Sequence, residues 1–244
     1  MVDEMIKRIQ NIDINYIQYG NPEGKNIILL HGWGQNIEMM KPLGDNLDKF
    51  YITILDLPGF GESSKPTVAL TVFNYVEILE EFLKELNIDN PIVIGHSFGG
   101  RLAILYASRN KTEKVVLFGA PCVRHERNNT KEKVLKGLKK IPGMNRIGES
   151  MKKYIGSDDY KKASPIMREI LVNIVNVDLS EYAKKITCPT LLIWGTLDTA
   201  APLEEAKELE ALLKDGALIE LPGCTHYAYL EALPQVINIL NNFL

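Results

Sequence analysis

Several things are scarce in this chain, and each scarcity excludes a class of protein. Three cysteines stand among 244 residues, Cys122, Cys188 and Cys224. They are odd in number and lack metal-ligand spacing, so they read as free thiols in a reducing compartment rather than as a disulfide framework or a zinc module. No basic excess exists: 28 Lys and Arg face 31 Asp and Glu, a net charge of −3. A dedicated nucleic-acid binder carries a strong positive balance. No apolar run reaches the roughly 18 residues of a membrane span. The first ten residues mix Asp3, Glu4, Lys7 and Arg8 with apolar side chains, where a signal peptide has a continuous apolar core. The expectation is a cytoplasmic protein with neither membrane nor nucleic acid as partner. Histidine is also scarce, at four residues, which shortens any search for a catalytic base.

What the chain does have is rhythm. At 244 residues it suits one large α/β domain, or one domain with an insertion. Short continuous apolar runs recur at 26–30, 52–55, 92–94, 115–118, 191–194 and 218–221, and 12–19 alternates apolar with polar. Continuous apolar runs of four or five residues mean burial on both faces, as in a parallel sheet covered by helices. Between them lie helical periods. Val72, Tyr75, Val76, Leu79, Phe82, Leu83 and Leu86 form one stripe, further helices open after Ser97 and after Pro202, and a closing helix starts at Pro234. Strand–helix alternation of this kind predicts an α/β architecture with a mostly parallel sheet.

Residues 122–186 break the rhythm, holding no convincing strand. Ser164 and Pro165 read as a helix N-cap and first turn, followed by the stripe Ile166, Met167, Ile170, Leu171, Ile174 and Val175. The segment carries 15 Lys and Arg against 8 Asp and Glu. It reads as a helical insertion, a cap or lid, in a core made of 1–121 and 187–244. Its basic charge is either the solvated faces of two helices or an attraction for anionic partners. An acidic acyl-carrier protein could dock on Lys131, Lys133, Lys136, Lys139 and Lys140.

Gly95-His96-Ser97-Phe98-Gly99 is a G-x-S-x-G sequence between an apolar run and an apolar-periodic helix, the context in which that motif makes a nucleophile elbow. The glycines leave room for a tight strand-to-helix turn, and the helix N-terminus favours developing negative charge. A serine hydroxyl needs a base held by an acid. Of the four histidines, His96 sits on the turn itself, His31 opens a Gly-rich loop and His125 lies in polar sequence. His226 follows the last apolar run, which makes it the best base. Asp198, just beyond the run at 191–194, is the best acid. Asp56 is its rival, although Asp-Leu-Pro-Gly reads as turn chemistry. The order Ser97, Asp198, His226 matches that of nucleophile-elbow enzymes. The backbone N–H groups of Trp33, in His31-Gly32-Trp33-Gly34, and of Phe98 are candidate oxyanion donors. No residues suggest a metal or an organic cofactor.

The ordered set HGWG (31–34), DLPGFGES (56–63), GHSFGG (95–100), WGTLD (194–198) and GCTHY (223–227) resembles the α/β-hydrolase superfamily. HGWG with DLPGFG looks like its pimeloyl-carrier-protein methyl esterase and small carboxylesterase branches. The resemblance implies an eight-stranded, mostly parallel sheet with a helical cap after strand six. It also implies Ser97 as nucleophile, His226 as base, Asp198 as acid, and Trp33 and Phe98 as oxyanion donors. Branches with an aspartate at the elbow, the dehalogenases and epoxide hydrolases, are disfavoured by Ser97. Cys224-Thr225 stands before His226 where the family often has Gly-x-Gly-His. The expected reaction is hydrolysis of a small-molecule carboxylic ester. The alternatives are C–C bond or thioester hydrolysis or an elimination with the same triad, and a non-catalytic ligand-binding role on the same fold.

Overall fold

The computed structural model describes residues 4–124 and 163–244. The apolar runs become strands: β1 (Met5–Ile9), β2 (Ile12–Gly20), β3 (Asn26–Leu30), β4 (Tyr51–Leu55), β5 (Ile92–His96), β6 (Lys114–Phe118), β7 (Thr190–Gly195) and β8 (Gly216–Leu221). They make one eight-stranded sheet in the order β1-β2-β4-β3-β5-β6-β7-β8. Only the β1–β2 and β2–β4 pairs are antiparallel. The sequence reading lacked β1. That strand lies at the sheet edge with its residues alternately exposed, Ile6 by 70%, so the continuous apolar signal of a buried strand is missing from it.

The described helices are α1 (Ile37–Gly44), α2 (Val72–Glu85), α3 (Phe98–Ala107), α4 (Pro165–Val175), α5 (Ser180–Ala183), α6 (Leu203–Leu212), α7 (Ala228–Glu231) and α8 (Leu233–Phe243). The stripe from Val72 becomes α2, which opens with a reciprocal cap: Thr71 Oγ1 accepts from Asn74 N, and Asn74 Oδ1 accepts from Thr71 N. Helix α1 escaped the sequence reading because Pro42 sits inside it, and an internal proline usually marks a break.

The central strands divide their side chains between two cores with period two. Ile28, Leu30, Val93, Val115, Leu117, Leu192 and Trp194 pack on the side of α2, α3 and α6. Ile27, Leu29, Ile92, Ile94, Val116, Phe118, Leu191 and Ile193 pack on the side of α1 and α8. Burial on both faces is what the unbroken apolar runs demand, at roughly 1.5–3 kcal/mol for each fully buried side chain.

Helices α4 and α5 lie between β6 and β7, where the insertion was expected. Ser164 Oγ accepts from Met167 N, and Met167, Ile170, Leu171 and Ile174 are buried; Ile166 and Val175 are half-buried. Arg101 of α3 pins this segment. Its Nη1 donates to Pro121 O at 2.7 Å, and its Nη2 donates to Ile174 O at 3.0 Å and to Val177 O at 2.5 Å. Leu179 N donates to Cys122 O at 3.0 Å, so the outgoing and returning chains are tied together. A cation at the carbonyl end of α4 is also favoured by the helix dipole. His125 and Lys131, Lys133, Lys136, Lys139 and Lys140 lie outside the described residues. Among the described residues no helix is long and apolar enough to cross a membrane.

Candidate active site

The parallel strands end at one edge, the edge where open α/β sheets collect reactive groups. There β5 passes into α3 through Ser97, whose φ of 50° and ψ of −109° cost a non-glycine residue on the order of 1–3 kcal/mol. Two backbone bonds hold it: Ser97 N to Phe118 O at 2.8 Å, and Arg101 N to Ser97 O at 3.1 Å. The flanking glycines are sterically required. A Cβ at residue 95 would lie 2.5 Å from Gly99 O, and one at residue 99 would lie 2.2 Å from Leu30 O. The second glycine lets α3 run hard against the end of β3 and so brings the elbow to the HGWG loop.

His31 organises that loop. Its Nε2 accepts from Leu57 N at 2.9 Å, and its Nδ1 donates to Gly32 O at 2.7 Å. Burial pushes its pKa down to about 4, so the ring stays neutral and keeps one donor and one acceptor. The Trp33 ring stands edge-on to Phe60 at 4.8 Å and to Phe98 at 5.7 Å, and Phe98 stands edge-on to Tyr75 at 5.0 Å. Among the described residues neither Trp33 N–H nor Phe98 N–H has a hydrogen-bond acceptor. Both are free to donate, and Phe98 is the first residue of α3.

Beyond β7, Asp198 is buried with its acceptor sites divided. Oδ1 accepts from Ala200 N and Ala201 N, both at 2.8 Å, and Oδ2 meets His226 Nδ1 at 2.8 Å. Since a carboxylate oxygen accepts, the His226 proton sits on Nδ1 and Nε2 is left as the basic nitrogen. Gly119, just after β6 with φ of 52°, forms the floor. A Cβ there would lie 2.9 Å from the His226 ring and 3.2 Å from Asp198 Oδ2. Its neighbour Phe118 supplies the carbonyl that holds Ser97, so the end of β6 is shared by all three residues. Among the described residues Ser97 Oγ has no hydrogen bond. Serine–imidazole bonds are often long until substrate binds and tighten afterwards.

Asp56, the rival acid, is spent elsewhere. Its Oδ1 accepts from Ile37 N at 2.8 Å, and its Oδ2 accepts from Asn15 Nδ2 and Glu62 N at 2.9 Å each. It shapes the DLPGFGES loop and touches none of the histidines through a hydrogen bond among the described residues.

Two residues were missed by sequence reasoning. Glu231 of α7 clamps the residue before His226: its Oε2 accepts from Thr225 N at 2.6 Å and its Oε1 from Thr225 Oγ1 at 2.5 Å. Thr225, a departure from the family's usual residues, is thereby anchored. Gln35 Oε1 accepts from Gly32 N at 2.9 Å and lies 3.2 Å from His96 Nδ1. Glu231 follows His226 by five residues and belongs to no motif, and Gln35 likewise carries no local signal.

The family whose sequence profile is described as "alpha/beta hydrolase fold" matches residues 25–147. The chain belongs to the α/β-hydrolase family. It is 28% identical to a pimeloyl-acyl-carrier-protein methyl ester esterase of Nitrosospira multiformis, over 86% of this chain and 90% of that protein. It is 26% identical to Lipase 3 of a Moraxella species, over 91% of this chain and 78% of that protein. Its fold resembles the crystal structure of a bromoperoxidase from Bacillus anthracis, with a TM-score of 0.79 at 21% identity, covering 99% of both chains. The family's eight-stranded architecture accords with the sheet described above.

Proposed function

We propose that the protein is a cytoplasmic serine hydrolase that cleaves a carboxylic ester of a small to medium acyl substrate through an acyl-enzyme. The observation that carries this reading is the Asp198–His226 contact at 2.8 Å, on the sheet edge that also bears a strained Ser97 and two free N–H groups. His226 Nε2 takes the Ser97 proton as Oγ attacks the ester carbonyl. Trp33 N–H and Phe98 N–H stabilise the oxyanion. The imidazolium returns the proton to the leaving alkoxide, which departs as the alcohol. Water, deprotonated by the same nitrogen, then releases the acid and frees Ser97. Asp198 keeps the imidazole in the tautomer the reaction needs.

Similarity to an esterase and a lipase supports an ester as the substrate. In this reading residues 1–121 and 187–244 form the catalytic core and 122–186 the cap. The basic cap lysines would receive an acidic acyl-carrier protein presenting the acyl chain to Ser97. The test is a p-nitrophenyl ester chain-length series on the wild type and Ser97→Ala. Turnover by the wild type with loss of about 10³-fold or more in Ser97→Ala is expected. Undiminished turnover by the variant would overturn the assignment.

A further inference from the structure

A general base works only if its ring is held from both ends. Asp198 fixes the His226 side chain at Nδ1, but the main chain of residue 226 must also be kept in place relative to Ser97. The group that holds it is His96. This ring is fully buried and sits at the last position of β5, in register with Phe118 of β6. Its Nε2 lies 2.9 Å from the carbonyl oxygen of His226. A carbonyl can only accept, so His96 carries its proton on Nε2 and donates. Its Nδ1, left without a proton, lies 3.2 Å from Gln35 Oε1 and makes no hydrogen bond with it. The rings of His226 and Tyr229 enclose it at centroid distances of 4.7 and 4.9 Å.

We propose that His96 is a positioning residue whose ring joins the elbow to the base loop, setting the His226 backbone relative to Ser97. The proposal rests on the Ser97–His226–Asp198 reading given above. His96 is covalently next to Ser97, so any movement of the elbow is passed directly to the carbonyl of His226. The burial that keeps the ring uncharged, pushing its pKa down to about 3, also makes this arrangement a fixed one around neutral pH. Catalysis is sensitive to such placement, since a misplacement of 1 Å can cost about 10²-fold in rate.

The test uses three variants: His96→Phe, which keeps a ring but loses the hydrogen bond to the His226 carbonyl; His96→Gln, whose amide reaches toward that carbonyl; and His96→Asn, which is too short to do so. Two rates are read, labelling of Ser97 by a fluorophosphonate and kcat for p-nitrophenyl acetate, with melting temperature measured beside them. The expected result is a fall of about 10–100-fold in both rates for Phe and Asn, with KM little changed and a substantial recovery in Gln. Normal rates in Phe, or equal rates in Gln and Asn, would overturn the proposal even if the melting temperature fell, because a purely structural residue gives that pattern. Should Phe fail to fold, the Gln–Asn comparison decides. Wild type that is not labelled at all would remove the nucleophile reading itself, and His96's role with it.

Discussion

Asp56 and Asp198 occupy like positions and do unlike work. Both are buried at the carboxyl end of a strand, and both accept hydrogen bonds from backbone N–H groups. Asp56 spreads its two oxygens over donors from Ile37, Asn15 and Glu62. Asp198 confines its backbone donors to Oδ1 and keeps Oδ2 for His226. One carboxylate is saturated by the fold; the other has one oxygen reserved for a histidine. Burial and strand-end position therefore do not identify an orienting acid. In the proposed reading, the distribution of donors between its oxygens does.

The sharpest way to break this comparison is to neutralise both. Asp198→Asn keeps an oxygen for Ala200 and Ala201 but presents an amide to His226 Nδ1, favouring the wrong tautomer. A fall in kcat of about 10⁴-fold with little loss of stability is expected, read by ester hydrolysis and urea unfolding. Asp56→Asn turns an NH₂ group toward donors from Asn15 and Glu62. A loss of about 2–5 kcal/mol in unfolding free energy is expected, with a far smaller change in the kcat of the folded fraction. If the two variants exchanged these signatures, the assignment of roles would be reversed.

A smaller effect comes from acid. His96 and His31 are buried and held neutral, with pKa values pushed down by desolvation to about 3 and about 4. In the unfolded chain histidine takes up a proton below about pH 6.5, which the folded rings refuse. Their contribution to stability is intact above that pH and drains away as pH falls toward the folded values, by about 2 kcal/mol for each ring at pH 5. Urea midpoints should drop between about pH 7.5 and pH 5, and His96→Gln should flatten the dependence. A slope unchanged in that variant would place the acid sensitivity elsewhere.

The smallest expected effect concerns Glu231. In Glu231→Gln the amide nitrogen replaces one of the two oxygens that accept from Thr225, loosening the base loop while Asp198 still holds the ring. A severalfold fall in kcat, with KM and the Asp198-dependent tautomer retained, is the expected outcome in steady-state kinetics. An unchanged kcat would show that Thr225 needs no clamp.

Much of the fold was legible because burial on two faces writes itself into the chain: a parallel strand covered by helices has to be apolar throughout, as at 26–30 and 191–194. The edge strand β1 was not legible, since one exposed side erases that signal, and α1 was hidden by its proline. For the candidate site, the elbow was legible through Gly95 and Gly99, whose absent side chains are sterically demanded by contacts of 2.5 and 2.2 Å. Asp198 and Asp56 could be ranked from sequence only by the kind of turn each begins and by the order of serine, aspartate and histidine along the chain.

The amino-acid sequence on its own determined the alternation of strands and helices and the order of serine, aspartate and histidine, because these are written in local periodicity and in short motifs. The tertiary structure alone decided which oxygen of Asp198 is left for His226, that His96 reaches the His226 carbonyl across 130 residues of chain, and that Glu231 holds Thr225. Those are matters of distance between loops brought together by the sheet, and no local pattern of residues encodes a distance.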